Sequence, residues 1–194
     1  MKIVERTYNE THRRALLESG MHPVLARVYA GRNIRTAAEL NYGLDGLISP
    51  QALKGVDAAA HLLADAIAQQ KRLLIIADYD ADGATACAVG VRALRAFGAN
   101  VDYLVPDRFK LGYGLTPELV ELASLRKPEL LITVDNGIAS VEGVARARSL
   151  GIATLITDHH LPGPELPAAA CIRPRTSASP WFRPGWERDS SFPG

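Results

Sequence analysis

The 194 residues predict an α/β fold, a doubly wound parallel sheet preceded by a helical segment. Three observations lead there. From residue 71 onward, short apolar runs alternate with amphipathic stretches, the pattern of strands that hand over to helices. The run LLIIA at 73–77 is apolar without alternation, as in a strand covered on both faces. The connections are short, which requires parallel pairing through right-handed crossovers.

Residues 1–70 read as helical, with no strand pattern. Thr11–Ser19 and Pro23–Ala30 are short amphipathic segments closed by Gly20 and Gly31. Leu40–Ser49 is a loop carrying Gly43 and Gly46 and followed by Pro50. Asp57–Gln70 is an amphipathic helix with Leu62, Leu63, Ala66 and Ile67 on its apolar side, and its His61 faces no second ligand at helical spacing. The alternation then runs through strand Leu73–Asp78, helix Gly83–Phe97, strand Val101–Val105, helix Thr116–Ser124 with Pro117 at its first position, and strand Leu130–Asp135. Helix Val141–Leu150, stopped by Gly151, leads to strand Ile152–Thr157. Residues 171–194 are rich in Arg, Pro, Ser and Trp without a hydrophobic period, and are expected to form a divergent, disordered tail. The organisation is therefore 1–70 helical, 71–170 α/β, 171–194 tail.

With 47% hydrophobic and 22% charged residues the chain is expected to form an ordinary soluble core. The net charge of +1 gives no overall basic footprint, although a local basic patch is compatible with it. Cys87 and Cys171 lie far apart with no CxxC pair, which argues against thiolate zinc and a disulfide framework. The N-terminus lacks a signal-peptide core and no apolar run approaches membrane length, so no membrane association and a cytoplasmic location are expected.

Three strands end in acids or histidines: Asp78, Asp80 and Asp82 after the first, Asp135 after the third, and Asp158-His159-His160 after the fourth. Parallel strands bring their C-terminal ends side by side, and ligands bind outside them. Converging carboxylates repel one another, so a cation is expected among them. Carboxylates mixed with imidazole suit Mn²⁺ or Mg²⁺ better than a soft metal. There are enough ligands for two ions, with Asp135 on the middle strand end as the shared carboxylate and His160 free to contact phosphate or handle a proton. The loop PDRFKLGYGL adds Arg108 as a phosphate contact, and Tyr113 between Gly112 and Gly114 as an aromatic on a backbone that a ligand can approach closely. Together these fit a nucleic-acid substrate.

DYDADGAT, PDRFKLGYGL, TVDNGI and TDHH, in this order and spacing, resemble the DHH phosphoesterases over roughly residues 20–170. Within that family the resemblance is to the single-stranded-DNA-specific exonucleases. It implies 5′-to-3′ release of nucleotides from single-stranded DNA with Mn²⁺ or Mg²⁺ in recombination and repair, with a helicase or single-strand-binding protein as partner. Position by position, Asp80, Asp82, Asp135 and His159 resemble the metal ligands. His160 resembles the group on the scissile phosphate, so His160 and Asp135 stand nearest the chemistry. Asp78 and Asp158 resemble groups that orient ligands. The family pattern continues beyond this length with a further metal-binding Asp, while residues 171–194 depart from it, as a shifted reading frame would. The chain is thus read as a truncated fragment of such an exonuclease, with its own activity left open, and a non-catalytic binding remnant is one alternative. Another DHH enzyme, an oligonucleotide phosphodiesterase or a pyrophosphatase, is the second. Asp80-Ala81-Asp82-Gly83 also resembles the nucleophile loop of haloacid-dehalogenase-like phosphatases, but Ala84 separates the glycine from Thr85 and that class has no use for Asp-His-His.

Overall fold

The computed structural model describes residues 6–41, 43, 47 and 49–174, with the side chains of Arg108 and residues 171–174 outside the described set. Two compact units divide at Ser49 and Pro50. In the first, α1 (Glu10–Glu18) begins at Asn9, whose side chain accepts from the backbone N–H groups of Thr11 and His12. The second helix, α2 (Pro23–Ala30), has Pro23 in its first turn and the His22 ring as cap. Leu16, Ala26 and Ala30 form the small core between them. Gly20 takes φ 87° just past α1, as a helix-ending glycine should.

The second unit is built on one six-stranded sheet in the order β1-β6-β5-β4-β2-β3. Its strands are β1 (Leu53–Lys54), β2 (Arg72–Ala77), β3 (Asn100–Leu104), β4 (Leu130–Val134), β5 (Ala153–Thr157) and β6 (Ala170–Pro174). The five strands from β2 to β6 pair in parallel, and β1 runs antiparallel along β6. All five residues of β4 are buried, as are the last five of β2, as the unbroken apolar sequence of β2 and the nearly apolar sequence of β4, broken only by Thr133, require.

From β2 the chain passes through α4 (Ala81–Ala96) to β3 on one side. It then returns through the short α5 (Arg108–Leu111) and α6 (Pro117–Ser124) to β4 on the other side. The strand order therefore reverses between β2 and β4, and a doubly wound sheet opens its crevice at such a point. α7 (Val141–Ser149) completes the crossover to β5. One face of the sheet packs Ile75, Ile132 and Leu155 under α4 and α3 (Val56–Ala68). The other packs Leu74, Ile76, Leu131 and Ile156 under α6 and α7.

Two boundaries differ from the sequence reading. The helix expected within a 1–70 helical segment is α3, and its buried Ala59 and Ala66 belong to the core of the sheet unit, so the structural break falls near residue 50. Its apolar stripe needed a partner, and the sheet supplies it. The tail boundary at 171 cuts through β6, which adds to the edge of β5. β1, only two residues long, lies in a region read as strand-free, because so short a strand has no period to detect. Of the disordered tail expected over residues 171–194, residues 175–194 lie outside the described residues, as does Gly46. An apolar groove of about 730 Å³ runs between α3 and α4 over Ile75, Ile132, Val134 and Leu155. Among the described residues no helix is long and apolar enough to cross a membrane.

Candidate metal centre

The acids expected at the strand ends meet at the crevice between β2 and β4. β2 delivers Asp78, which is buried and accepts from the Tyr79 N–H at 2.8 Å. Asp80 caps α4, its Oδ1 accepting from the Gly83 N–H at 3.1 Å. The helix can start this close to β2 because residue 83 has no side chain. A Cβ there would stand 2.7 Å from Asp78 Cβ and 2.8 Å from the Asp78 carbonyl carbon and oxygen. Gly83→Ala is therefore expected to destabilise the chain by about 1–3 kcal/mol, in spite of the better helix propensity of alanine. Chemical denaturation of the metal-free chain measures it.

β4 ends in Asp135, which is buried, takes φ 63° and donates its backbone N–H to the Thr157 carbonyl, extending the parallel ladder by one bond. Asp135 Oδ1 is 2.8 Å from His159 Nε2, and Asp82 Oδ2 is 3.7 Å from the same nitrogen. Asp158 is buried behind them. Its Oδ1 accepts from the His160 backbone N–H at 3.0 Å and pairs with His160 Nδ1 at 2.8 Å, while its Oδ2 accepts from the Ile138 N–H at 2.9 Å. One carboxylate thus fixes a histidine and ties the loop after β5 to the loop after β4.

Carboxylate and imidazole atoms fall into two close groups. One contains Asp78, Asp80 and Asp135, the other Asp135, His159 and His160, and within each the ligand atoms lie within 4.8 Å of one another. Asp135 belongs to both. Asp82 stands outside these groups, beside Asp80 and within 3.7 Å of His159 Nε2.

Burial is the main reason the Asp135 carboxyl is pushed above the ordinary carboxylate range, with the charges of Asp82 and Asp80 adding to it and His159 opposing it. Asp82, hydrogen-bonded by its own backbone N–H and beside Asp80, is held below that range. Burial works against the charged form of His160, yet the hydrogen bond to Asp158 and the charges of Asp158, Asp135 and Asp82 outweigh it and raise its pKa. Among the described residues, the ion-pair partners of Asp82, Asp135 and Asp158 are the two imidazoles. Excess negative charge, two shared-ligand groups and an oxygen-rich donor set with one or two imidazoles fit a pair of divalent cations of intermediate hardness.

The glycine loop lies beside this cluster. Tyr113 Oη donates to the Asp135 carbonyl at 3.2 Å and is 3.4 Å from each ring nitrogen of His160, the two rings meeting edge to face. Gly112 and Gly114 take φ 77° and 79°, and a Cβ on Gly114 would stand 2.9 Å from Ser140 Oγ. Ser140 Oγ also accepts from the Leu115 N–H at 3.0 Å, pinning the loop to the start of α7. Arg108 lies on α5, and its side chain is outside the described residues. Sequence reasoning missed Ser140 and Asn136. Asn136 lies within TVDNGI and Ser140 two residues beyond it, but neither is a residue type that announces a site.

The family description "DHH family, N-terminal domain" matches residues 72–180. Among curated relatives, the single-stranded-DNA-specific exonuclease RecJ of Escherichia coli (strain K12) is 48% identical over 173 residues, 89% of this chain and 30% of the relative. RecJ of Bacillus subtilis (strain 168) is 40% identical over 154 residues, 77% of this chain and 20% of that protein. The chain thus spans about 30% or less of the length of these relatives. Among solved structures, exonuclease RecJ bound to manganese is 38% identical with a TM-score of 0.61, covering 66% of this chain and 33% of that one. RecJ from Thermus thermophilus in complex with Mn²⁺ is 32% identical with a TM-score of 0.59, covering 84% and 23%. The matched segment opens at β2 and takes in all three acidic strand ends, and with it the chain belongs to the DHH family.

Proposed function

We propose that this chain carries the metal centre of a single-stranded-DNA-specific exonuclease that works 5′ to 3′ in DNA repair and recombination in the cytoplasm. The observation that carries the reading is Asp135, one carboxylate common to both ligand groups at the crevice of the sheet. Similarity to RecJ proteins, two of them with manganese in their solved structures, supports Mn²⁺ as the ion, with Mg²⁺ as the alternative. Asp80, Asp82, Asp135 and His159 would hold two such ions, and Asp78 and Asp158 would orient the ligands. When bound, the ions supply Lewis acidity and charge neutralisation for an in-line phosphoryl displacement.

The chain's own residues do the rest. Asp158 occupies Nδ1 of His160, a phosphate oxygen would take Nε2 in place of the long 3.4 Å contact to Tyr113 Oη, and the raised pKa of this imidazole favours the cationic form that an anion prefers. Tyr113, half exposed between its two glycines, offers a ring face on which a base can stack. Arg108 adds a phosphate contact. The strands it acts on would come from a helicase or be held by a single-strand-binding protein.

End-labelled single-stranded and duplex DNA with Mn²⁺ test this. Nucleotide release from the 5′ end of the single strand alone is expected, and release from duplex equally well would contradict it. His160→Gln is expected to slow cleavage by about 10²- to 10⁴-fold, as for loss of a positioned proton-handling group, while Mn²⁺ still raises the melting temperature. Loss of the Mn²⁺ response in that variant would make His160 a ligand instead.

A further inference from the structure

The turn after β4 contains a residue that neither the strand pattern nor the acids account for. Asn136 is 3% exposed. Its Nδ2 donates to the Val134 carbonyl at 2.9 Å and to the Ile76 carbonyl at 3.2 Å, so one amide spans the ends of β4 and β2. Turning the amide over would set Oδ1 against both carbonyl oxygens, and the two donors therefore fix its orientation. Opposite, Thr133 Oγ1 donates to the Asn136 carbonyl at 2.7 Å, closing the turn from within β4.

Between these anchors Asp135 adopts φ 63°, a left-handed conformation that aspartate and asparagine enter more readily than other residues with a Cβ, and the hydrogen bonds on either side hold it there. Were β4 simply to continue in extended form, the strand alternation would send the residue after Val134 to the opposite face of the sheet. The left-handed turn keeps the Asp135 carboxylate at 2.8 Å from His159 Nε2 instead. Asn136 Oδ1, meanwhile, is buried without a protein partner among the described residues. Asn136 borders a cavity of about 10 Å³ shared with Asp78 and the Gly112–Gly114 loop. An unmade hydrogen bond on a buried acceptor is costly, so this oxygen calls for an explanation beyond packing.

We infer that Asn136 is a positioning residue of the metal centre, bridging β2 and β4 so that Asp135 is held in the left-handed conformation that aims its carboxylate at His159. The inference rests on Asp135 being a shared metal ligand, and its test separates the two. Asn136→Ala is made in the whole chain and read twice. Without metal, the Asp135 intraresidue HN–Hα nuclear Overhauser effect, strong only at positive φ, is expected to weaken while the other amides stay dispersed. With Mn²⁺, followed by the electron paramagnetic resonance of the free ion, affinity is expected to fall about 10- to 100-fold, as when a group that orients a ligand is lost. A strong Overhauser effect and unchanged affinity in the variant would overturn the inference. A wild-type chain that binds no Mn²⁺ overturns the metal reading alone, and the Overhauser measurement then decides the role of Asn136 by itself. If the alanine variant does not fold, Asn136→Ser, which keeps one donor, is read in the same way. Failure of both to fold makes Asn136 purely structural and overturns the inference.

Discussion

Asp135→Asn will remove the rise in melting temperature that Mn²⁺ produces and lower metal-dependent DNA hydrolysis by about 10³-fold or more, the loss of several kcal/mol of charge stabilisation. Asparagine is the informative replacement, since it tolerates φ 63° as well as aspartate does and alanine does not. Only the charge and one ligand oxygen are then lost. The metal-free chain should respond differently. The folded-state pKa of Asp135 is raised above 3.8, so the ionised carboxylate is disfavoured in the folded chain. That penalty is absent below the unfolded pKa and fully present once the pH has risen through the folded one. Near neutral pH the asparagine variant is therefore expected to melt at the wild-type temperature or above it in chelator, and below it in Mn²⁺. Melting curves in the two buffers check both signs. A variant that kept the Mn²⁺ response would displace Asp135 from the centre of the site.

Gly143→Ala should be the most destabilising small substitution in the sheet unit, by about 3 kcal/mol or more, above the usual range for overpacking. An alanine inside a helix is normally worth up to about 1 kcal/mol over glycine. Here the new Cβ would stand 1.8 Å from the Leu115 carbonyl oxygen and 2.7 Å from its carbonyl carbon, and backbone cannot swing aside as a long side chain can. The first turn of α7 would have to leave the sheet, or residue 115 would have to move. Leu115 is buried and follows the Gly112–Gly114 loop directly, so displacement would carry the site loop with it. Urea unfolding at unchanged slope measures the cost. Gly163→Ala is the control. Its nearest neighbour is at 3.8 Å, and a change within about 0.5 kcal/mol is expected.

The sheet was legible because β2 announces itself as an unbroken apolar run, β4 as a β-branched one, and because their helices carry ordinary caps and stops, such as Pro117 behind Thr116. The meeting of Asp78, Asp80, Asp135 and His159 was legible from topology alone, since parallel strands leave their C-terminal ends no other place. What stayed hidden depends on tertiary contact. An amphipathic helix such as α3 does not say which surface it will cover. A two-residue strand such as β1 exists only through its pairing with β6. Asn-Gly after Asp135 marks a turn, but no local signal pairs the Asn136 amide with a carbonyl sixty residues earlier in the chain. Those features come from the neighbours that impose them.

If the strand ends assemble a site for divalent cations around Asp135, crystals grown with Mn²⁺ and measured at the manganese absorption edge will show it most directly. Two anomalous peaks are expected, one on each side of the Asp135 carboxylate, the first toward Asp78 and Asp80 and the second toward His159. A map with no peak at these strand ends, from crystals in saturating Mn²⁺, would contradict the metal centre.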